Sequence, residues 1–209
     1  YVEVLETETV PILEAMGQVL AGDIASRIDI PPLDNSAMDG YAVQAADTVG
    51  ASSGSPRRLR IVGDLGAGYV SSTAVKPGTT IRIMTGAPLP AGADAVVRFE
   101  DTERDGDWVD VRVEVPVGKD IRAAGEDVQE GTLVLRQGSL IRAQEVGMAA
   151  TLGRKEIAVH RKPVVAILAT GDEVVEIDEP LEPGKIRNAN SYSNAAQVLR
   201  CGGIPVLLG

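Results

Sequence analysis

Aromatic residues make up only 3% of this 209-residue chain, and it contains one cysteine and one histidine. Its core must therefore be built from valine, isoleucine, leucine, alanine and methionine. The lone Cys201 excludes an internal disulfide, which favours the reducing cytoplasm as the location. Because the only histidine is His160, far along the chain, we expect Cys201 to be a small packed hydrophobe near a helix end and not a nucleophile.

Long apolar runs and an excess of positive charge are also missing. No stretch approaches the roughly 20 apolar residues that cross a bilayer, and no basic segment precedes an apolar one at the start. The chain has 20 Lys and Arg against 30 Asp and Glu, a net charge of -10, which argues against nucleic acid or an anionic membrane as a partner. An anionic ligand would need local cations, backbone N–H groups or a metal ion.

The segment Pro31–Val43, PPLDNSAMDGYAV, concentrates polar side chains in one loop. Its two prolines favour an extended entry. The side chains of Asp34, Asn35 and Ser36 can bond to nearby backbone N–H groups and hold a tight turn. The glycine before the Tyr-Ala-Val run predicts a strand entrance, with Asp39 presented there. Taken alone, the composition is equally typical of a solvated turn.

Hydrophobic patterning divides the chain into regions of different structure. A helix is predicted over Ala15–Asp23. From Asp39 to about Val115, short alternating segments separated by Gly, Pro and Ser predict an antiparallel β domain. Its clearest strand is Trp108–Val115, with four valines on one face. Apolar residues at helical spacing predict a second helix over Ala143–Leu152, which ends at the following glycine.

The last part of the chain has the pattern of a βαβ unit. Pro163–Ala169 is a continuous apolar run, typical of a strand buried on both faces in a parallel sheet. A helix is expected from Asn190 to about Gly202, followed by the strand Ile204–Leu208. One such unit cannot cover both of its faces. We therefore expect it to begin a larger α/β domain, and the chain to be a fragment.

Three further polar segments stand out: Arg82–Pro90 (RIMTGAPLP), Ile121–Asp127 (IRAAGED) and Ala169–Val174 (ATGDEV). The first is equally compatible with a turn satisfied by the hydroxyl of Thr85. The second is compatible with a hinge whose acidic residues pair with Arg122. The third follows the buried strand directly, and ligands of open α/β sheets bind beyond the carboxyl ends of strands. Its position favours a function over a solvated turn.

These segments, DNSAMDGYAV, RIMTGAPLP with the following GADAVV, IRAAGED and ATGDEV, resemble in sequence and order the motifs of the molybdopterin molybdenumtransferase family, the MoeA proteins and the E domain of gephyrin. The resemblance is to the N-terminal half of the family. It implies a mixed α/β multi-domain fold, with an antiparallel β-rich domain (26–127) inserted into an elongated helix-containing domain (1–25 and 128–158). Residues 159–209 would begin a parallel α/β, molybdopterin-binding-like domain.

The resemblance also implies a reaction and a site. Members of the family insert molybdenum from molybdate into adenylylated molybdopterin and release AMP, with Mg²⁺ as the metal. The matching positions with an implied catalytic role are Asp39, Thr85, Asp127 and Glu173. The positions with an implied role in binding the pterin substrate are Asp34, Asn35, Ser36, Gly86, Gly171 and Asp172. Glu173 and Asp127 are the implied metal ligands, and the sequence does not distinguish between them.

Family members are homodimers with a cleft between the β-rich domain of one subunit and the α/β domain of the other. The resemblance therefore implies that Asp39 and Thr85 face Glu173 across chains, and that the adenylyltransferase supplying the substrate is a candidate partner. The chain alone is expected to be poorly active, because part of the family's pocket belongs to its C-terminal half.

Two alternatives remain open at this point. The first is a dimeric scaffold of the gephyrin type, which would need aromatic anchors in a groove, and the chain has few aromatic residues. The second is another sugar-nucleotide or phosphate-binding α/β protein that shares only the Gly-Asp-Glu turn. That reading leaves the DNSAMDGYAV and TGAPLP segments unexplained.

Overall fold

The computed structural model describes residues 3–208. The chain divides into two compact units. One, here called the inserted unit, is Ser26–Thr132. The other, the discontinuous unit, combines the residues up to Ala25 with those from Leu133 onward.

Strands dominate the described residues. The strands are β1 (Thr7–Pro11), β2 (Ile24–Ala25), β3 (Asn35–Ser36), β4 (Gly40–Val43), β5 (Arg57–Leu65), β6 (Thr79–Ile83), β7 (Ala95–Arg98), β8 (Thr102–Asp105), β9 (Trp108–Val111), β10 (Ile121–Arg122), β11 (Leu133–Leu135), β12 (Glu156–His160), β13 (Val164–Ile167), β14 (Val174–Val175), β15 (Ile186–Arg187) and β16 (Ile204–Leu207). The α-helices are α1 (Ala143–Thr151) and α2 (Ala189–Arg200), and 3₁₀ turns span Ala45–Thr48 and Phe99–Asp101.

The inserted unit is built on a six-stranded sheet in the order β7-β4-β6-β5-β9-β8. Neighbouring strands are antiparallel except β5 and β6, which are parallel. The prediction of a β-rich region is confirmed, with this one parallel pair as the exception. Both faces of the sheet are covered, because Tyr41 and Val43 belong to one buried cluster while Ala42 belongs to another. The middle of β4 is consequently buried on both sides and holds its ends in fixed positions.

The predicted strand over Trp108–Val115 is too long. In the structure β9 ends at Val111, because its partners β5 and β8 both end their pairing there. Beyond that point the backbone N–H of Arg112 donates to the carbonyl of Asp101, and that of Val115 donates to the Thr48 hydroxyl. The alternating pattern predicted the buried face of the valines correctly. The strand itself extends only as far as its partner strands form backbone hydrogen bonds with it.

The discontinuous unit packs β1, β12 and α1 around a cluster that includes Leu20, Ile141 and Val159. The predicted helix over Ala143–Leu152 is confirmed as α1. It begins with a capping interaction, since the carboxylate of Glu145 accepts hydrogen bonds from the backbone and guanidinium of Arg142.

The predicted helix over Ala15–Asp23 is wrong. These residues form turns and bridges, with Gly17 at φ +77°. The N–H of Gly17 donates to the carbonyl of Ile141 and that of Leu20 to Ser139, so the segment pairs like a strand with a distant part of the chain. Long-range pairing has overridden a local helical pattern.

The βαβ prediction is confirmed, since β13 and β16 are parallel and α2 connects them. The predicted burial of β13 on both faces is wrong for the described residues. Val164 is 60% exposed, and β16 has exposed residues as well, because this sheet consists of two strands with α2 as the helix packed on them.

Cys201 directly follows the last residue of α2, near a helix end as predicted, but it is exposed and not packed. Neither helix in the described part of the chain is long and apolar enough to cross a membrane.

Candidate functional site

The carboxylate of Asp39 is fixed by Thr85 at the edge of the inserted sheet. Its Oδ1 accepts hydrogen bonds from the Thr85 N–H and the Thr85 hydroxyl, both at 2.7 Å. The contact follows from strand register, because Gly40 pairs with Ile83 and so brings the entrance of β4 beside the exit of β6. Both residues are exposed and therefore accessible to a ligand.

Hydrogen bonding makes Asp39 a stable anion. The backbone N–H of Thr85 lowers the pKa of this carboxyl most, followed by its hydroxyl, while the positive charge of Arg82 lowers it less. Desolvation acts in the opposite direction but is outweighed. Donors directed at a carboxylate favour its charged form, so the group accepts hydrogen bonds across the physiological pH range.

The loop before Asp39 is tied to the turn that carries Thr85. Ser36 is fully buried. Its N–H donates to the carbonyl of Ala87, its carbonyl accepts from the N–H of Gly86, and its hydroxyl donates to the carbonyl of Met38. Gly86 has φ +81°, a left-handed conformation that favours glycine. The side chain of the nearly buried Asn35 donates to the carbonyl of Leu33. The two predicted binding residues at 35 and 36 thus direct their side chains into their own loop.

A third motif joins the same region. The Asp34 Oδ1 accepts from the backbone N–H of Ala124 at 2.7 Å, and β3 pairs with β10. The Ile121–Asp127 segment is thereby fixed to the Asp34–Gly40 loop. Three of the four sequence motifs meet in the inserted unit, although they are separated by many residues in the sequence.

Arg122 holds the acidic end of that third motif. Its guanidinium contacts the carboxylates of Glu126 and of Asp127, the latter at 2.7 Å. The two carboxylates, Glu126 first, raise the pKa of Arg122. The sequence left open whether these acidic residues pair with Arg122, and the structure shows that they do. The Asp127 carboxylate therefore already has a cationic partner.

The fourth motif lies in the discontinuous unit, in a cleft of about 460 Å³. The cleft stands at the carboxyl end of β13 and the N-terminus of α2. The polar residues that line it are Thr170, Glu173, Arg187, Asn188, Asn190, Ser191 and Asn194. Asn188 caps α2 by accepting from the N–H of Ser191. The asparagines were missed by sequence reasoning, although an asparagine before a helical segment is a recognisable N-cap signal.

The predicted metal ligands belong to different units, Asp127 to the inserted unit and Glu173 to the discontinuous unit. Within residues 3–208, no group of three or more His, Cys, Asp and Glu side chains is arranged to hold a metal ion. Of the predicted binding residues, Gly171 and Asp172 lie beside Glu173 in the loop after β13. The carbonyl of Asp172 accepts from the Lys185 ammonium group.

Comparison with known proteins agrees with the motifs. A family model described as the MoeA N-terminal region (domain I and II) matches residues 1–153. Molybdopterin molybdenumtransferase 2 of Mycobacterium tuberculosis is 43% identical over 194 residues, which cover 93% of this chain and 48% of that protein. Molybdopterin molybdenumtransferase of Bacillus subtilis is 40% identical over 208 residues, covering 98% of this chain and 48% of that protein.

A solved structure matches in fold as well. The crystal structure of the molybdopterin biosynthesis moeA protein from Pyrococcus horikoshii OT3 aligns with a TM-score of 0.92 and 41% identity, over 99% of this chain and 55% of that one. The chain spans about half the length of the curated relatives it matches. The resemblance inferred from the four motifs is confirmed, and the chain belongs to the MoeA family of molybdopterin molybdenumtransferases.

Proposed function

We propose that this chain acts in molybdenum cofactor biosynthesis, in the cytoplasm, by inserting molybdenum from molybdate into adenylylated molybdopterin with release of AMP. The main observation in support is that hydrogen bonds join three family motifs around the Asp39–Thr85 pair. Relatives that are about 40% identical over nearly the whole chain bear the name of this activity.

The Asp39–Thr85 pair has the chemistry of a pterin-recognition site. Both hydrogen bonds to Asp39 are made by Oδ1, so its second oxygen is the one that would accept from a ligand. The Thr85 hydroxyl has committed its proton to Asp39, which leaves its lone pairs as acceptors. Two fixed acceptors side by side suit the N–H groups of a pterin. Because they are already oriented, binding them loses little conformational entropy.

The cleft of the discontinuous unit supports binding of the phosphate-bearing part of the substrate. It lies at the N-terminus of the 12-residue helix α2, where backbone N–H groups and the helix dipole favour anions. Asparagine side chains around the cleft add neutral donors. These local donors explain how a chain of net charge -10 can bind an anionic substrate.

Glu173 fits the magnesium ion that the family uses better than Asp127 does. Glu173 is one of the residues that line the cleft, and Mg²⁺ is commonly bound by one or two carboxylates together with phosphate oxygens. Asp127 fits only if its ion pair with Arg122 opens. When bound, the ion would neutralise phosphate charge and polarise the P–O bond. Glu173 would hold it, and the α2 N-terminus would orient the phosphates.

Calorimetry tests the proposal directly. Adenylylated molybdopterin is titrated into the chain with and without Mg²⁺, and the same titration is made with Asp39→Asn and Glu173→Gln. We expect both variants to bind more weakly, and only Glu173→Gln to lose the effect of Mg²⁺. Asp107→Asn, in the exposed β8–β9 turn, is the matched control. Absence of binding, or equal binding by all four proteins, would refute the proposal.

The partner proposals are a homodimer and the adenylyltransferase that supplies the substrate. In the dimer, Asp39 and Thr85 of one subunit would act on the substrate held by Glu173 of the other. Mixing Asp39→Asn chains with Glu173→Gln chains should then restore part of the binding, because some mixed dimers carry one unmodified site. Unrestored binding in a mixture that forms mixed dimers would contradict a shared site.

A further inference from the structure

Arg98 and Asp120 form a bidentate ion pair beside the Asp34–Gly40 loop, here also called the Asp39 loop. The Nε and Nη2 of Arg98 each donate to a different oxygen of Asp120 at 2.9 Å. The Asp120 side chain is only 10% exposed. A bidentate, charge-assisted contact of this kind fixes both distance and orientation, unlike a typical exposed surface pair.

The backbone of Asp120 also has an unusual conformation. Its φ of +54° lies in the left-handed region, where it is the one non-glycine residue among those described. Aspartate tolerates this region better than most residues but still adopts it at a cost. The fork from Arg98 provides a reason for the conformation to persist, because it holds the carboxylate in place.

Asp120 and Arg98 are attached through the backbone to the chain on either side of Asp39. The carbonyl of Asp120 accepts from the N–H of Ala37 at 2.9 Å, two residues before Asp39. Arg98 is the register partner of Gly40, the residue after Asp39. The N–H of Phe99, the residue that follows β7, donates to the Asp39 carbonyl. Each end of the Ala37–Gly40 segment is thus attached to one member of the ion pair.

We propose that the Arg98–Asp120 pair is a positioning clamp that sets the Asp39 carboxylate against Thr85. Neither residue is required to touch the substrate. The clamp joins β7 to the segment before β10, and the Asp39 loop is held between them. This proposal rests on the proposed function in one respect only, because it takes Asp39 as a residue of the substrate site.

The lowered pKa of Asp120 agrees with this assignment. The hydrogen bonds from Arg98 are its principal cause, and the charges of Lys119 and Arg98 add to them. Arg98 has a raised pKa for the reciprocal reason. Both partners of the ion pair are therefore charged at neutral pH.

Two variants open the clamp from opposite sides. Asp120→Gly keeps the left-handed conformation without strain but removes the carboxylate. Arg98→Gln removes the charged fork. Arg58→Lys is the matched control. It alters an exposed ion pair with Asp105, which lies on β8 at the edge of the sheet opposite to β7.

Carboxyl ¹³C NMR titration of Asp39 and hydrogen exchange of the Thr85 amide report the result. In both clamp variants we expect the pKa of Asp39 to rise toward the ordinary value of an aspartate, and the Thr85 amide to exchange about tenfold faster, because a local opening is made easier. Amides of β5 should keep their protection, which separates loss of the clamp from general destabilisation. The control should match the unmodified protein.

The proposal is overturned if folded Asp120→Gly or Arg98→Gln protein retains the unmodified Asp39 pKa and Thr85 exchange rate. If the glycine variant does not fold, Arg98→Gln and the isosteric Asp120→Asn give the same readout. Failure of the proposed function would look different. Adenylylated molybdopterin would then bind without regard to Asp39, while the NMR effects of opening the clamp would remain.

Discussion

The carboxylate of Glu173 lies directly against Gly171. A Cβ at position 171 would stand 2.6 Å from Glu173 Oε2 and 2.8 Å from Oε1, and Gly171 has φ +153°. Any side chain there would have to displace the carboxylate. The absence of a side chain at position 171 therefore leaves room for the Glu173 carboxylate in this position, which is a more specific role than making a turn.

Gly171→Ala should consequently behave like a partial loss of Glu173. We expect adenylylated molybdopterin to bind more weakly, with a smaller effect of Mg²⁺, while the backbone strain of alanine at positive φ lowers the thermal unfolding temperature. Calorimetry and thermal denaturation measure the two effects. Gly184→Ala, also at positive φ in the same unit but with open space around its Cβ, controls for backbone strain. An unchanged Mg²⁺ effect in Gly171→Ala would contradict this role.

Gly40→Ala should be severely destabilising, because a Cβ there would stand 2.1 Å from the backbone carbonyl oxygen of Val97. The β4–β7 pairing would have to separate, and we expect a loss of about 3 kcal/mol or more in the free energy of unfolding. Gly147→Ala provides the contrast. Gly147 lies within α1 with open space around its Cβ, so alanine should stabilise the protein by about 0.5–1 kcal/mol.

Urea unfolding of both glycine variants measures these changes. The prediction fails if Gly40→Ala is as stable as the unmodified protein, or if the two substitutions have effects of the same sign.

The sequence predicted what local patterns determine. The Gly-Tyr-Ala-Val run identified β4 and placed Asp39 at its entrance, apolar spacing identified α1, and the βαβ pattern placed α2 between its two strands. The contact between Asp39 and Thr85 was not predictable from the residues alone, since it depends on the register between β4 and β6. The Arg98–Asp120 pair was missed for the same reason, because neither residue belongs to a motif and a left-handed aspartate leaves no clear sequence signal.

The errors also have a common physical cause. Residues 15–23 have a helical pattern, yet Gly17 and Leu20 bond to the chain around Ser139–Ile141. The valines up to Val115 alternate, yet β9 ends where its partners end. In both cases the decisive interaction is with residues distant in the sequence, which periodicity does not report.

Asp34 offers a test of whether a predicted binding residue touches the substrate or supports the loop. Its Oδ1 accepts from the Ala124 N–H, a bond that Asp34→Asn can retain and Asp34→Ala cannot. If support is the role, we expect Asp34→Asn to bind adenylylated molybdopterin normally and Asp34→Ala to bind weakly, with faster exchange of the Ala124 amide. Equal weakening in both variants would instead indicate that the substrate needs the negative charge.

Thr85 should control the titration of Asp39. Folding lowers the pKa of this carboxyl, principally through the Thr85 N–H and next through its hydroxyl. The resulting stabilisation is complete above the unfolded-state pKa and is lost as the pH falls through the folded-state pKa. Thr85→Val removes the hydroxyl bond but keeps the backbone bond, so the pKa of Asp39 should rise without reaching its ordinary value.

Thr85→Ser retains both donors and is the matched control for the substitution. Carboxyl ¹³C titration should give the lowest Asp39 pKa in the unmodified protein and Thr85→Ser, and a higher one in Thr85→Val. Stability measured between neutral pH and the acid range should correspondingly fall less in Thr85→Val, because less of it depends on keeping Asp39 ionised. If Asp39 titrated identically in all three proteins, the hydroxyl bond would contribute nothing to the anion. The side chain of Thr85 would then have to act on a ligand alone.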